Sequence, residues 1–121
     1  MPRSTLQTRT TLLLPSTVLA RIKAISAGEN TALAEMIRRA IDDAILSGVY
    51  DMATKPPNDE PTERFILYMP EYMEQMLAWT AQQQGLTMHE LAANACDYFC
   101  RRKEDMYEKI NAVNQAATEA A

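Results

Sequence analysis

The single histidine of the 121-residue chain, His89, is followed by Cys96 and Cys100. Offsets of seven and eleven put the three side chains on one face of a helix. An imidazole and two thiols are donor types that zinc accepts, but there is no fourth ligand and no CxxC pair. Two small buried thiols are the simpler expectation, and no metal site is assigned. The chain has no nucleophile beside a base and no glycine-rich phosphate loop, so no enzyme and no cofactor is expected. The remaining candidates are non-covalent. In RTTLLLP (residues 9–15) and RFILYMP (residues 64–70), alternate positions hold Arg9, Thr11 and Leu13, and Arg64, Ile66 and Tyr68. On a strand, alternate residues share a face. Arg38 and Arg39 stand together in a helical pattern, with Glu35 as an i,i+4 partner for Arg39. Tyr72, Met76 and Trp79 form a second apolar stripe beside Met73, Leu77 and Thr80.

The elements that position these residues follow from spacing. RTTLLLP ends at a proline and reads as a short strand. From Ser16, with Ser16 or Thr17 as cap, Val18, Ile22 and Ile25 mark a helix that breaks at AGEN, where Asn30 tolerates the left-handed conformation. Leu33, Met36, Ile37, Ala40, Ile41, Ala44 and Ile45 mark a second helix, closed by Gly48. Residues 51–62, DMATKPPNDEPT, are polar with three prolines and read as a stiff linker. The order then repeats. RFILYMP is a strand, residues 71–84 a helix, Gly85 a stop, Thr87 a cap, and a further helix starts at Met88. Past Cys100, Met106, Ile110, Val113 and Ala117 fall at roughly heptad spacing. They suit an oligomerising helix, or one folded back on its own domain.

An offset of 55 superposes the two halves without a gap: Pro15 on Pro70, Arg9 on Arg64, Asn30 on Gly85, Glu35 on Glu90, Asp42 on Asp97. The chain therefore reads as two copies of strand–helix–helix, residues 1–50 and 63–121. Each copy alone approaches the lower size limit for a core, so packing between halves or between chains is expected. A lone strand leaves its backbone groups unpaired. RFILYMP must therefore pair with RTTLLLP of its own chain or with its copy in a second chain. Matching strand lengths favour pairing within one chain.

Net charge is −4, which argues against non-specific polyanion binding by the whole surface. Residues 1–50 carry six lysines and arginines against four acids, and residues 51–121 six against twelve. A polyanion would therefore be met by the first half. The two cysteines and the lack of a signal-peptide apolar region point to a reducing, cytoplasmic setting. No apolar run approaches the ~20 residues that span a bilayer, so no membrane association is expected.

The segments ALAEMIRRAI (residues 32–41) and GLTMHELAANAC (residues 85–96), each behind a short strand, resemble the ribbon-helix-helix (Arc/MetJ-like) DNA-binding family. Two units in one chain are similar to the arrangement in TraY-type conjugative transfer proteins. The resemblance implies a mainly α fold with a short antiparallel β-ribbon and two tandem ribbon-helix-helix units. It implies double-stranded DNA as partner, with the ribbon in the major groove. With Leu14 and Met69 facing the core, Thr10, Leu12, Phe65 and Leu67 also point inward. Arg9, Thr11, Leu13, Arg64, Ile66 and Tyr68 would then face the bases. The second-helix N-termini, at Thr31, Ala32 and Leu33 and at Thr87, Met88 and His89, would hold phosphates, helped by Arg38 and Arg39. Leu13, Ile66 and Tyr68 stand where polar readers are usual. The function implied is a repressor or an accessory factor marking a plasmid-transfer origin. The alternative is a protein-interaction module on the same fold, an antitoxin or a phage- or plasmid-encoded inhibitor. That module would use the acidic second half. Tyr72, Met76 and Trp79 would then contact a partner protein or a second copy of the chain.

Overall fold

The computed structural model describes residues 7–47 and 61–120. Along the chain run β1 (Gln7–Pro15), α1 (Ser16–Gly28), α2 (Leu33–Ser47), β2 (Thr62–Pro70), α3 (Glu71–Gln84) and α4 (Met88–Ala120). The fold is mainly helical with one two-stranded antiparallel sheet, as expected. Both strands begin two residues earlier than their sequence pattern indicated, and Thr62, read as linker, opens β2. Gly48 and linker positions 51–60 lie outside the described residues.

The two strands of one chain pair with each other. Their register places Arg9 opposite Tyr68, Thr11 opposite Ile66 and Leu13 opposite Arg64. Thr11 thus faces its own equivalent at the 55-residue offset, so a pseudo-two-fold axis passes between Thr11 and Ile66. The axis relates the helices as well. α1 and α3 start 55 residues apart, as do α2 and α4. The two positive-φ positions among the described residues, Asn30 (53°) and Gly85 (72°), keep the same spacing.

The pleat sends alternate side chains to opposite faces. On the inner face Thr10, Leu12, Leu14, Leu67 and Met69 are buried, and Phe65 is half-buried. They meet Ile22, Met36, Ile37, Ile41, Leu77, Leu91, Cys96 and Cys100 in one core that both halves build together. A two-stranded ribbon is marginal alone in water, so the helices behind it are what hold it.

Local sequence explains how the elements start and stop. Pro15 and Pro70 are the N-caps of α1 and α3, with φ of −56° and no side-chain cap bond. Ser16 and Thr17 were expected in that role. Instead the strand runs directly into the helix, and the Ser16 N–H donates to the Pro61 carbonyl at 2.9 Å, one step beyond the ladder. Thr87 does cap α4. Its hydroxyl accepts from the Glu90 N–H at 3.1 Å, and its own N–H donates to the Glu90 carboxylate at 2.9 Å, a reciprocal capping box. Gly85 ends α3 in the left-handed conformation, where a side chain would be strained.

Polar contacts across the halves lock α1 to α4. Arg21 bonds Asp97 at 2.6 Å and Glu104 at 2.8 Å. Glu29 accepts from Lys103 at 2.8 Å and from the Tyr107 hydroxyl. These donors hold the Glu104 and Glu29 carboxyls below their ordinary range, and the Glu29 bond pushes the Tyr107 hydroxyl up to about 12. Beyond Tyr107, α4 continues to Ala120 with every described side chain exposed. It does not fold back on the domain, and Met106, Ile110 and Val113 form an exposed stripe.

Two outcomes follow for stability. In urea unfolding, Leu67→Ala removes a fully buried side chain and costs about 2–5 kcal/mol, whereas its exposed neighbour Ile66→Ala changes stability by about 0.5 kcal/mol or less. Equal costs would contradict the inward–outward alternation. For pH, carboxyls depressed by folding stabilise above their unfolded value of 4.5 and lose that contribution as pH falls through the folded values. Stability should therefore drop below about pH 4.5, and Glu29→Gln/Glu104→Gln should flatten that acid limb. An unchanged limb would show that these contacts contribute nothing in solution.

Candidate nucleic-acid interface

The outer face of the ribbon follows from the same pleat. Arg9, Leu13, Arg64, Ile66 and Tyr68 are exposed there, and Thr11 is half-buried at the centre. The expected six share one surface, and β1's earlier start adds exposed Gln7, opposite Pro70. The Gln7, Arg9, Thr11, Leu13 alternation was the available signal for that addition. Down each strand the outward row holds no carboxylate, because Glu63 falls on the inner parity at the ribbon's end.

The outer edges of the ribbon are held by the second helix of each half. The Leu13 N–H donates to His89 Nδ1 at 3.1 Å, and Arg38 Nη1 donates to the Tyr68 carbonyl at 2.8 Å. Leu13 and Tyr68 are equivalents at the 55-residue offset. The same backbone position is therefore tied at both edges, through its donor on β1 and its acceptor on β2. These ties also show that Arg9–Tyr68, Thr11–Ile66 and Leu13–Arg64 are non-hydrogen-bonded pairs, whose side chains stand close.

The helix N-termini are arranged differently from expectation. The Ala32 carbonyl accepts from the Met36 N–H, and the Thr87 carbonyl from the Leu91 N–H, each at 3.0 Å. Ala32 and Thr87 are thus the equivalent first positions. The trio Thr31, Ala32 and Leu33 is shifted by one against Thr87, Met88 and His89, and the Thr31 hydroxyl bonds the Glu29 carbonyl instead. Each N-terminus also carries its own acid in the first turn, Glu35 or Glu90. A carboxylate there uses the same partial positive charge a phosphate would seek. Arg38 and Arg39 both bond Glu35, at 3.1 and 3.3 Å, and hold its carboxyl below the ordinary range.

Most other cations are engaged in the same way. Among the described residues Arg21, Arg38, Arg39, Arg101, Arg102, Lys103 and Lys109 each have a carboxylate within 4.0 Å. Arg9, Arg64 and Lys23 have no carboxylate partner among the described residues. Two of those three stand on the outer face of the ribbon.

The cysteines are buried, and burial pushes the Cys96 thiol up and the Cys100 thiol up to about 11. Neither is a thiolate at neutral pH, the form that attacks or binds metal. His89 is committed to β1. The described residues contain no group of three or more metal-binding side chains. None of their helices is long and apolar enough to cross a membrane. Tyr72, Met76 and Trp79 are 63%, 41% and 55% exposed, which makes them a surface stripe and not a broader core.

No family model matches the chain, and no curated protein or solved structure matches it.

Proposed function

We propose that the chain is a sequence-specific double-stranded DNA-binding protein built from two tandem ribbon-helix-helix units. Its ribbon enters the major groove, and it serves as a repressor or as an accessory factor at a DNA-transfer origin. One observation carries the reading. In a chain of net charge −4, two of the three described cations that have no carboxylate partner among the described residues, Arg9 and Arg64, stand on a ribbon face whose outward rows hold no acid. Lys23 stands apart on α1, so on the ribbon Arg9 and Arg64 are the groups for which a polyanion is the natural partner.

The register gives the reading a geometry. Arg64 lies opposite Leu13, four positions along β1 from Arg9. That separation is roughly 13 Å at strand rise, or about four base-pair steps of 3.4 Å. Each arginine can fork onto the O6 and N7 of a guanine. Between them Thr11, Ile66, Leu13 and Tyr68 present methyl, aliphatic and aromatic surface suited to thymine methyl groups. Because Thr11 faces Ile66 across the pseudo-axis, the two halves of the bound site need not match. The protein-interaction reading draws on the exposed stripe of α3, but it leaves the free arginines of the ribbon without a role.

Selection from a random duplex pool tests the proposal. The native protein should enrich a non-palindromic site with two guanines about four steps apart. Arg9→Ala and Arg64→Ala should each weaken binding by about 1–3 kcal/mol, with discrimination lost at one guanine apiece. With few phosphates neutralised, affinity should fall only shallowly with salt. No enrichment at low salt would overturn DNA binding. Enrichment unaffected by both substitutions would overturn the ribbon as its seat.

A further inference from the structure

α3 and α1 are related by the pseudo-two-fold axis, yet their outer faces have diverged. Tyr72, Met76 and Trp79 on α3 correspond to Thr17, Arg21 and Ala24 on α1. On α1 the central position is an arginine clamped by Asp97 and Glu104 of α4. On α3 it is Met76, exposed between two exposed aromatic rings. The chain therefore has one polar, internally sealed end and one apolar end.

The apolar end is self-complementary. Its spacing, four residues from Tyr72 to Met76 and three from Met76 to Trp79, places an aromatic ring on either side of a methionine. Two such helices laid antiparallel about a two-fold axis set Met76 against Met76 and each Tyr72 against a Trp79. Aromatic pairs and sulfur–aromatic contacts both favour that arrangement. Beside the stripe the exposed residues Gln75, Ala78, Gln82 and Gln83 carry no charge, and the exposed acid of α3, Glu71, held by Gln75, lies five residues from Met76, so an antiparallel pair centred there keeps the two Glu71 carboxylates apart.

We infer that the α3 face docks a second copy of this chain, α3 on α3 with Met76 at the axis, and that assembly stops at two. Closure follows because a two-fold contact uses the same patch on both partners, and the pseudo-equivalent α1 face is occupied by its own salt bridges. The patch is small, so the pair exchanges with single chains. The inference is independent of DNA binding, since the ribbon takes no part in it.

Trp79 is the chain's single tryptophan, so its fluorescence reports this contact. Over a concentration series of the full chain, its emission should move to shorter wavelength in step with a rise in light-scattering mass from one chain to two. Met76→Glu, which sets two carboxylates face to face, should weaken association by at least about tenfold with an unchanged circular dichroism spectrum. Met76→Cys should oxidise to a covalent dimer and nothing larger. A mass of one chain at every concentration would overturn the inference, leaving the stripe to a different protein. Assemblies beyond two would overturn closure, and an undiminished dimer in Met76→Glu would overturn the α3 contact.

Discussion

Backbone pairing between β1 and β2 is the constraint from which the rest of the structure follows. Each strand has nine residues, and neither has another described strand to pair with. Once they pair in the observed register, the pleat decides the fate of every side chain on them. One set must be covered, which recruits all four helices to one face and makes a single core from two short repeats. The other set is left facing away. The remaining unpaired backbone groups on the outer edges are partly satisfied by His89 and Arg38, which also fix the second helices beside the ribbon.

The repeat was legible because it rests on local pattern. Alternation in RTTLLLP and RFILYMP, three-and-four spacing in the helices, and turn residues at Asn30 and Gly85 each reflect one element's own geometry. The inward and outward sets on the ribbon followed directly from period two. What escaped was long-range. Arg21 meets residues 76 and 83 positions away, and nothing in its neighbourhood marks it as a clamp. Arg38 looked available for phosphate, but one of its donors goes to the ribbon edge and another to Glu35. Pro15 displaced Ser16 as a cap because the strand-to-helix corner is shared with the ladder, a tertiary fact. Whether Tyr72, Met76 and Trp79 are covered depends on how the other elements pack, and that packing leaves all three exposed.

Divergence between the halves is what gives the chain distinct surfaces. Position by position, the offset exchanges Arg21 for Met76, Thr10 for Phe65 and Thr11 for Ile66. Thr10, buried at one end, needs Glu74 to satisfy its hydroxyl at 2.7 Å, while Phe65 at the other end packs without a polar partner. Such exchanges keep the fold, because the core accepts either chemistry if polar groups are satisfied. They also break the symmetry of what is exposed. Carboxylates neutralise most of the described cations on the helices, with Glu29, Glu35 and Asp43 drawn from the first half and Asp97, Glu104 and Asp105 from the second, and the ribbon keeps its positive groups.

The single-chain ribbon is tested most directly by cross-linking its centre. Thr11 and Ile66 face each other as a non-hydrogen-bonded pair, with Cα atoms about 4.5 Å apart, inside the range a disulfide spans. Thr11→Cys/Ile66→Cys should therefore oxidise to a bond within one chain, running as a compact monomer on a non-reducing gel, while buried Cys96 and Cys100 stay reduced. Covalent dimers in place of that monomer would mean the strands pair between chains, and the account of the ribbon would fail.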